Sequence, residues 1–318
     1  MTKRIALVAA AALLLTQPAA ARDEAVVVDV GDTKLYGTLE LPRRDPIAAA
    51  LIISGSGPTD RDGNSSILPG KNNSLRYLAE ALADDRIASL RYDKRMIGES
   101  ANPSIIEADL RFDHFADDAV KLAAYLEEHL DVPVFLIGHS EGGQIALTAA
   151  EREAFAGVAV LAGPGEHPAD LIARQLAQQI PPDLFEDSVR TLNALRAGNL
   201  VDDPPAQLGV LFRKSVQPYL ISWFRYDPPK QAANIDEPLL LIYGTTDIQV
   251  EVSNGEALAA AHADARLVII EGMNHVLKMV SGEPVEQMPS YSDPDLPLAD
   301  GVARAISDFV TETTTRSP

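Results

Sequence analysis

Gly138-His139-Ser140-Glu141-Gly142 sets one serine between two glycines, after an apolar run and before a helix-like pattern. A sharp strand-to-helix corner of this kind lifts the serine Oγ out of the sheet. Gly138 and Gly142 let neighbouring backbone approach without Cβ clashes. The corner also leaves the N–H of Glu141 at the positive end of the following helix. The chemistry such a corner offers is nucleophilic attack, provided a base removes the hydroxyl proton. Of the six histidines, His139 lies inside the corner and should point away from the Oγ. His114 and His129 sit on a helical pattern, His167 borders a helical stretch, and His262 lies near a helix end. His275 differs, because its loop "EGMNHVLK" follows the last strong strand. In a parallel sheet that edge gathers the functional loops.

An imidazole base needs a carboxylate to hold its tautomer. Asp247 ends "LLLIYGTTD", directly after the penultimate strand, and so is the expected acid. Glu251 and Glu166 are its rivals. The chain order Ser140, Asp247, His275 is nucleophile, acid, base. A tetrahedral oxyanion needs donors fixed in advance. One is expected to be Glu141 N–H and the other Ser56 N–H in Gly55-Ser56-Gly57, with Gly57 as the neighbouring option. The same glycines could also form only a tight turn. Asp93 follows a middle strand and is expected to brace the Arg91/Arg95 turn. "DRDG" at Asp60 to Gly63 evokes a calcium loop but lacks the full ligand spacing and the terminal glutamate. No metal and no cofactor are expected.

These residues need a scaffold. "EAVVVDV" and "LYGTLELP" predict an opening antiparallel pair. "AAALIISGSG", "RIASLRYD", "VPVFLIG", "FAGVAVLAGPG", "PLLLIYGTTD" and "ARLVIIEGMNH" predict buried strands, and helical patterns separate many of them. Strands that are apolar throughout imply a mostly parallel sheet covered on both faces, an α/β fold. The stretch 166–234 breaks the rhythm. It carries helical patterns, Pro204-Pro205, and an aromatic cluster of Tyr219, Trp223, Phe224 and Tyr226. It is expected to be a helical cap over the C-terminal edge of a core built from 22–165 and 235–318.

The N-terminus has Lys3 and Arg4, an apolar stretch from Ile5 to Leu15, and Ala19-Ala20-Ala21. That layout predicts a secretory signal peptide over 1–21, and a periplasmic or extracellular protein. The apolar run is too short to span about 30 Å of hydrocarbon. Removing 1–21 takes away Lys3, Arg4 and no acid, so the formal net charge goes from −19 to −21. Such a chain is a poor partner for nucleic acid or an anionic membrane. It has no cysteine, so its core must hold the fold without disulfides.

With these residues in view, the sequence resembles the α/β-hydrolase superfamily and, more narrowly, a bacterial serine-esterase subgroup related to a thermostable esterase. The segments that carry the resemblance are "SGSGPTDRDGN", "RYDKRMIGES", "IGHSEGG", "YGTTDIQV", "MNHVLK" and "YSDPDLPL". The resemblance implies an eight-stranded sheet with a helical cap, a Ser140-His275-Asp247 triad, and cleavage of short-chain carboxylic esters. Members often have glycine where Met96 stands, a departure within a turn. The aromatic cluster around Trp223 suggests an apolar acyl group, with Gly55 and Gly57 beside it. A peptidase, thioesterase or acyltransferase on the same triad is the main alternative, with Glu166, Asp183 and Arg225 as candidate anchors. A non-catalytic binding protein is the other. Oligomeric state is not legible.

Overall fold

A computed structural model describes residues 22–316. The predicted signal peptide lies outside the described residues. The chain runs β1 (Arg22–Asp29), β2 (Lys34–Leu41), β3 (Ala48–Ile53), α1 (Ser74–Asp84), β4 (Ile87–Tyr92), α2 (Phe112–Leu130), β5 (Val134–His139), α3 (Glu141–Ala150) and β6 (Gly157–Leu161). Then follow α4 (Pro168–Ala177), α5 (Pro182–Arg196), α6 (Gly209–Phe212), α7 (Gln217–Trp223) and α8 (Pro228–Asn234). The rest is β7 (Leu239–Gly244), α9 (Val252–Ala261), β8 (Arg266–Ile270), α10 (Pro284–Gln287) and α11 (Val302–Arg316).

The strands form one eight-stranded sheet in the order β1-β2-β4-β3-β5-β6-β7-β8. β2 pairs antiparallel with both β1 and β4; every other pairing is parallel. This is the α/β architecture expected from the run of apolar strands. Every residue of β3, β4, β5, β6 and β7 is buried. Side chains alternate between the two faces. Ala48, Ala50 and Ile52 join Leu75 and Leu78 of α1 and Val302 and Ile306 of α11 on one face. Ala49, Leu51 and Ile53 join Phe115 and Leu122 of α2 and Ile145 of α3 on the other. The edge strand β8 is only partly covered, which suits a sheet border.

Five helices, α4 to α8, fill the interval between β6 and β7. Sequence periodicity anticipates α4 and α5 but not the three short helices that follow. The inserted helices pack on α2, α3 and α9. Trp223 stacks on Phe112 at 5.9 Å and 12° and donates its indole N–H to Gln144 Oε1 at 2.7 Å. Tyr219, Tyr226 and Phe115 close the same aromatic knot. Trp223 is thus buried in the joint between insertion and core, with its polar atom engaged. This corrects the expectation that the cluster around Trp223 offers a free apolar surface to a substrate.

Candidate active site

The corner after β5 has the strain its sequence implies. Ser140 adopts φ 55°, ψ −125°, a conformation non-glycine residues rarely take. Two glycines make it possible. A Cβ on Gly138 would lie 2.1 Å from Gly142 O, and one on Gly142 would lie 2.3 Å from Ile53 O. The end of β3 therefore nests into the first turn of α3. Ser140 N–H donates to Leu161 O at 2.9 Å, which ties the corner to β6.

Three loops at one edge of the sheet converge here. His275 Nε2 lies 3.1 Å from Ser140 Oγ, and His275 Nδ1 lies 2.9 Å from Asp247 Oδ2. The Asp247 carboxylate is fully buried. Its Oδ1 accepts from the N–H groups of Gln249 and Val250 at 2.8 and 2.9 Å, which fixes it in place. With Nδ1–H given to a carboxylate, Nε2 is left as the proton acceptor facing the hydroxyl. The rival acids are engaged elsewhere. Glu166 and Glu251 both pair with Arg174, Glu251 at 3.1 Å.

The other histidines have separate tasks. His139 is buried, and its Nε2 donates to His275 O at 2.7 Å. Burial, then the neighbouring His275, lowers its pKa to about 4, so it stays neutral while steadying the loop that carries His275. His167 caps α4, accepting from Ala169 N–H at 3.2 Å. His114 lies in the first turn of α2, and His262 caps the end of α9. His129 lies in the last turn of α2 and stacks with Tyr125.

Gly55 lies against the corner: a Cβ there would be 3.1 Å from Ser140 Cβ. Ser56 and Gly57 are exposed beyond it. Gly57 has φ +68° and open space around it, so its part is to turn the chain. Among the described residues, neither Ser56 N–H nor Glu141 N–H has a hydrogen-bond partner. Beneath the loop is a lysine that the sequence reading did not single out. Lys94 is buried; its Nζ donates to Gly55 O at 2.5 Å and to Glu141 Oε2 at 3.0 Å. Tyr219 O–H of α7 donates to Glu141 Oε1 at 2.5 Å, and burial drives that phenol's pKa well up. The available signal was a charged residue in the turn just after β4, a strand that is buried throughout.

The neighbouring motif residues are occupied differently from what was expected. Asp93 accepts from the Arg61 backbone and guanidinium at 2.8 and 2.7 Å and from Glu99 N–H at 2.9 Å. Arg91 bonds to Asp62, and Arg95 to Asp118 at 2.6 Å and Asp32 at 2.7 Å. Asp93 therefore braces the 61 and 99 loops, which corrects the expectation that it holds the Arg91/Arg95 turn. Asp60 Oδ1 accepts from the N–H groups of Asp62 and Asn64, both at 2.9 Å, so "DRDG" closes on itself as a turn. The candidate peptide anchors are mostly paired: Arg225 with Asp113 at 2.5 Å, and Glu166 with Arg174. Asp183 lies in the first turn of α5.

Residues 50–288 match the profile of the alpha/beta hydrolase family. Esterase EstD of Thermotoga maritima is 29% identical over 279 residues, covering 82% of this chain. The chain spans 62% of the length of that curated relative. Among solved structures, Est1E from Butyrivibrio proteoclasticus matches with a TM-score of 0.60 at 18% identity, over 92% of this chain and 99% of that one. Proline iminopeptidase from Mycobacterium smegmatis matches with a TM-score of 0.59 at 13% identity, over 93% of this chain and 100% of that one. At such identities these two structures carry the fold alone.

Proposed function

The chain belongs to the alpha/beta hydrolase family, and from that premise we propose that it is an exported serine hydrolase that cleaves short-chain carboxylic esters through an acyl-enzyme. The observation that carries the proposal is the contact chain from Ser140 Oγ to His275 Nε2 and from His275 Nδ1 to Asp247 Oδ2. The likeness to a protein named as an esterase supports the ester as substrate. The short acyl chain rests on the sequence resemblance.

In this reading Ser140 Oγ attacks the ester carbonyl carbon while His275 Nε2 takes the hydroxyl proton. The carbonyl oxygen becomes an oxyanion and accepts from Ser56 and Glu141 N–H, each uncommitted beforehand. The C–O bond to the alcohol then breaks, and the imidazolium gives its proton to the departing alkoxide. Water attacks the acyl-enzyme, His275 again taking a proton, and the acid leaves as Ser140 Oγ is reprotonated. Asp247 keeps Nε2 facing the nucleophile and stabilises the imidazolium. Water is the only co-reactant required. An amide or peptide substrate is less well supported, since Arg225 and Glu166 already have partners.

The test is hydrolysis of p-nitrophenyl esters of increasing acyl length by the wild type and Ser140→Ala. The wild type should prefer acetate or butyrate to long acyl chains. The variant should lose about 10⁴-fold or more in kcat. A fluorophosphonate should add mass to Ser140 alone; equal turnover by the variant would refute the proposal. Export rests on the Lys3-Arg4, apolar and Ala19-Ala20-Ala21 pattern. N-terminal sequencing of the periplasmic protein should start at Arg22, and a chain retained inside with Met1 intact would refute it.

A further inference from the structure

We infer that Lys94 is a positioning residue for the oxyanion donor Ser56, acting through the carbonyl of Gly55; the inference rests on the serine-hydrolase reading above. The peptide joining Gly55 to Ser56 is trans, as there is no cis bond among the described residues. In a trans peptide the C=O and the following N–H point in opposite directions. Whatever holds Gly55 O therefore sets the direction of Ser56 N–H. Lys94 Nζ holds Gly55 O at 2.5 Å from the buried side.

The loop needs such a hold. Ser56 and Gly57 are exposed, and Gly57 turns at positive φ in open space. A flexible glycine pair beside the nucleophile would let the donor swing. Thr59 Oγ1 donates to Ser56 O at 2.8 Å, which ties the far side of Ser56 but leaves the Gly55 peptide to Lys94.

The three N–H donors of the ammonium can be accounted for. Gly55 O and Glu141 Oε2 take two, and the Phe115 ring lies 5.7 Å from Nζ for the third. Lys94 and Glu141 are 3% and 6% exposed, so together they form a buried pair of no net charge. A buried ion pair is in itself weak evidence of stabilisation, because desolvation offsets the attraction. What sets this pair apart is its placement. Its acid is the side chain of the residue whose N–H is the first oxyanion donor, and its cation holds the peptide that presents the second. One ammonium thus fixes the spacing between the two donors. Oxyanion stabilisation depends on donors preset at that spacing.

The experiment compares kcat and KM for p-nitrophenyl butyrate in four proteins: wild type, Lys94→Met, Lys94→Met/Glu141→Gln, and Arg95→Met. Active sites are counted by fluorophosphonate titration, and the inhibition constant of a trifluoromethyl ketone is measured in each. The double variant avoids leaving a lone buried carboxylate and serves if Lys94→Met folds poorly. Arg95→Met removes the adjacent buried cation, which pairs with Asp118 and Asp32 and does not touch the Gly55 loop.

Both Lys94 variants should lose about 10- to 100-fold in kcat per titrated site, less than deletion of a donor, with KM within about threefold. Ketone affinity should fall in parallel with kcat. Arg95→Met should unfold at a lower temperature yet keep kcat per titrated site within about twofold. If the double variant keeps wild-type kcat per titrated site while Ser140→Ala is inactive, the inference falls and the hydrolase reading stands. If Ser140→Ala turns over as the wild type does, both fall.

Discussion

Two turns leave the same edge of the sheet, one after β4 and one after β5. Each buries charged residues, and each contains a residue with positive φ, Met96 in the first and Ser140 in the second. They differ in how their polar groups are engaged. At the end of β4 Arg91 holds Asp62, and after it Asp93 holds Arg61 and Arg95 holds Asp118. After β5, Ser140 Oγ has His275 as its hydrogen-bond partner and Glu141 N–H has none among the described residues. Similar local chemistry thus yields a clamp in one turn and the proposed reactive centre in the other. The difference lies in which groups remain free to meet a substrate. Lys94 belongs by sequence to the first turn but bonds to groups in the second.

The largest effect should come from the second turn. Asp247→Asn should lower kcat by about 10⁴-fold, because the imidazole would then be held in the wrong tautomer. Glu166→Gln should leave kcat near the wild-type value. Comparable losses in both would mean that Arg174 does not keep Glu166 away from the imidazole, and the contrast between the turns would weaken.

The next effect belongs to the first turn and should appear in stability. Arg95→Met strands the fully buried Asp118 carboxylate, which costs about 3–5 kcal/mol. Chemical denaturation monitored by circular dichroism would measure it. A change under about 1 kcal/mol would show that the pair is not a clamp.

The smallest effect concerns Met96. Ile97 N–H donates to Lys94 O at 2.9 Å, closing a turn in which Met96 is the third residue at φ 66°. Turns of that kind call for glycine at this position. Met96→Gly should relieve the strain and raise stability by about 0.5 kcal/mol, the residue of opposing αL and chain-entropy terms. Loss of stability would show that the half-buried Met96 side chain contributes more by packing than its backbone loses.

Much of this was legible in the sequence, for identifiable reasons. β3, β5 and β7 are six-residue runs buried on both faces, so burial left an unbroken apolar signature. The positions of Ser140, Asp247 and His275 each follow a strand end, and strand ends in a parallel sheet share an edge. What was hidden depended on contacts distant in the chain. The partner of Asp93 lies 32 residues away, and Lys94 reaches Glu141 across 47. Neither separation leaves a periodic trace. The short helices α6, α7 and α8 owe their order to packing on the core, where propensity is a weak guide. Trp223 was misread because an aromatic cluster has the same composition whether it lines a cleft or fills a joint.

That joint makes the protein its own optical reporter. The chain has a single tryptophan, and its indole is hydrogen-bonded to Gln144, one turn along the helix that begins after Ser140. Intrinsic fluorescence from this molecule therefore registers one seam. Its emission should shift to the red when the inserted helices lift from α2 and α3, even while the sheet beneath stays folded.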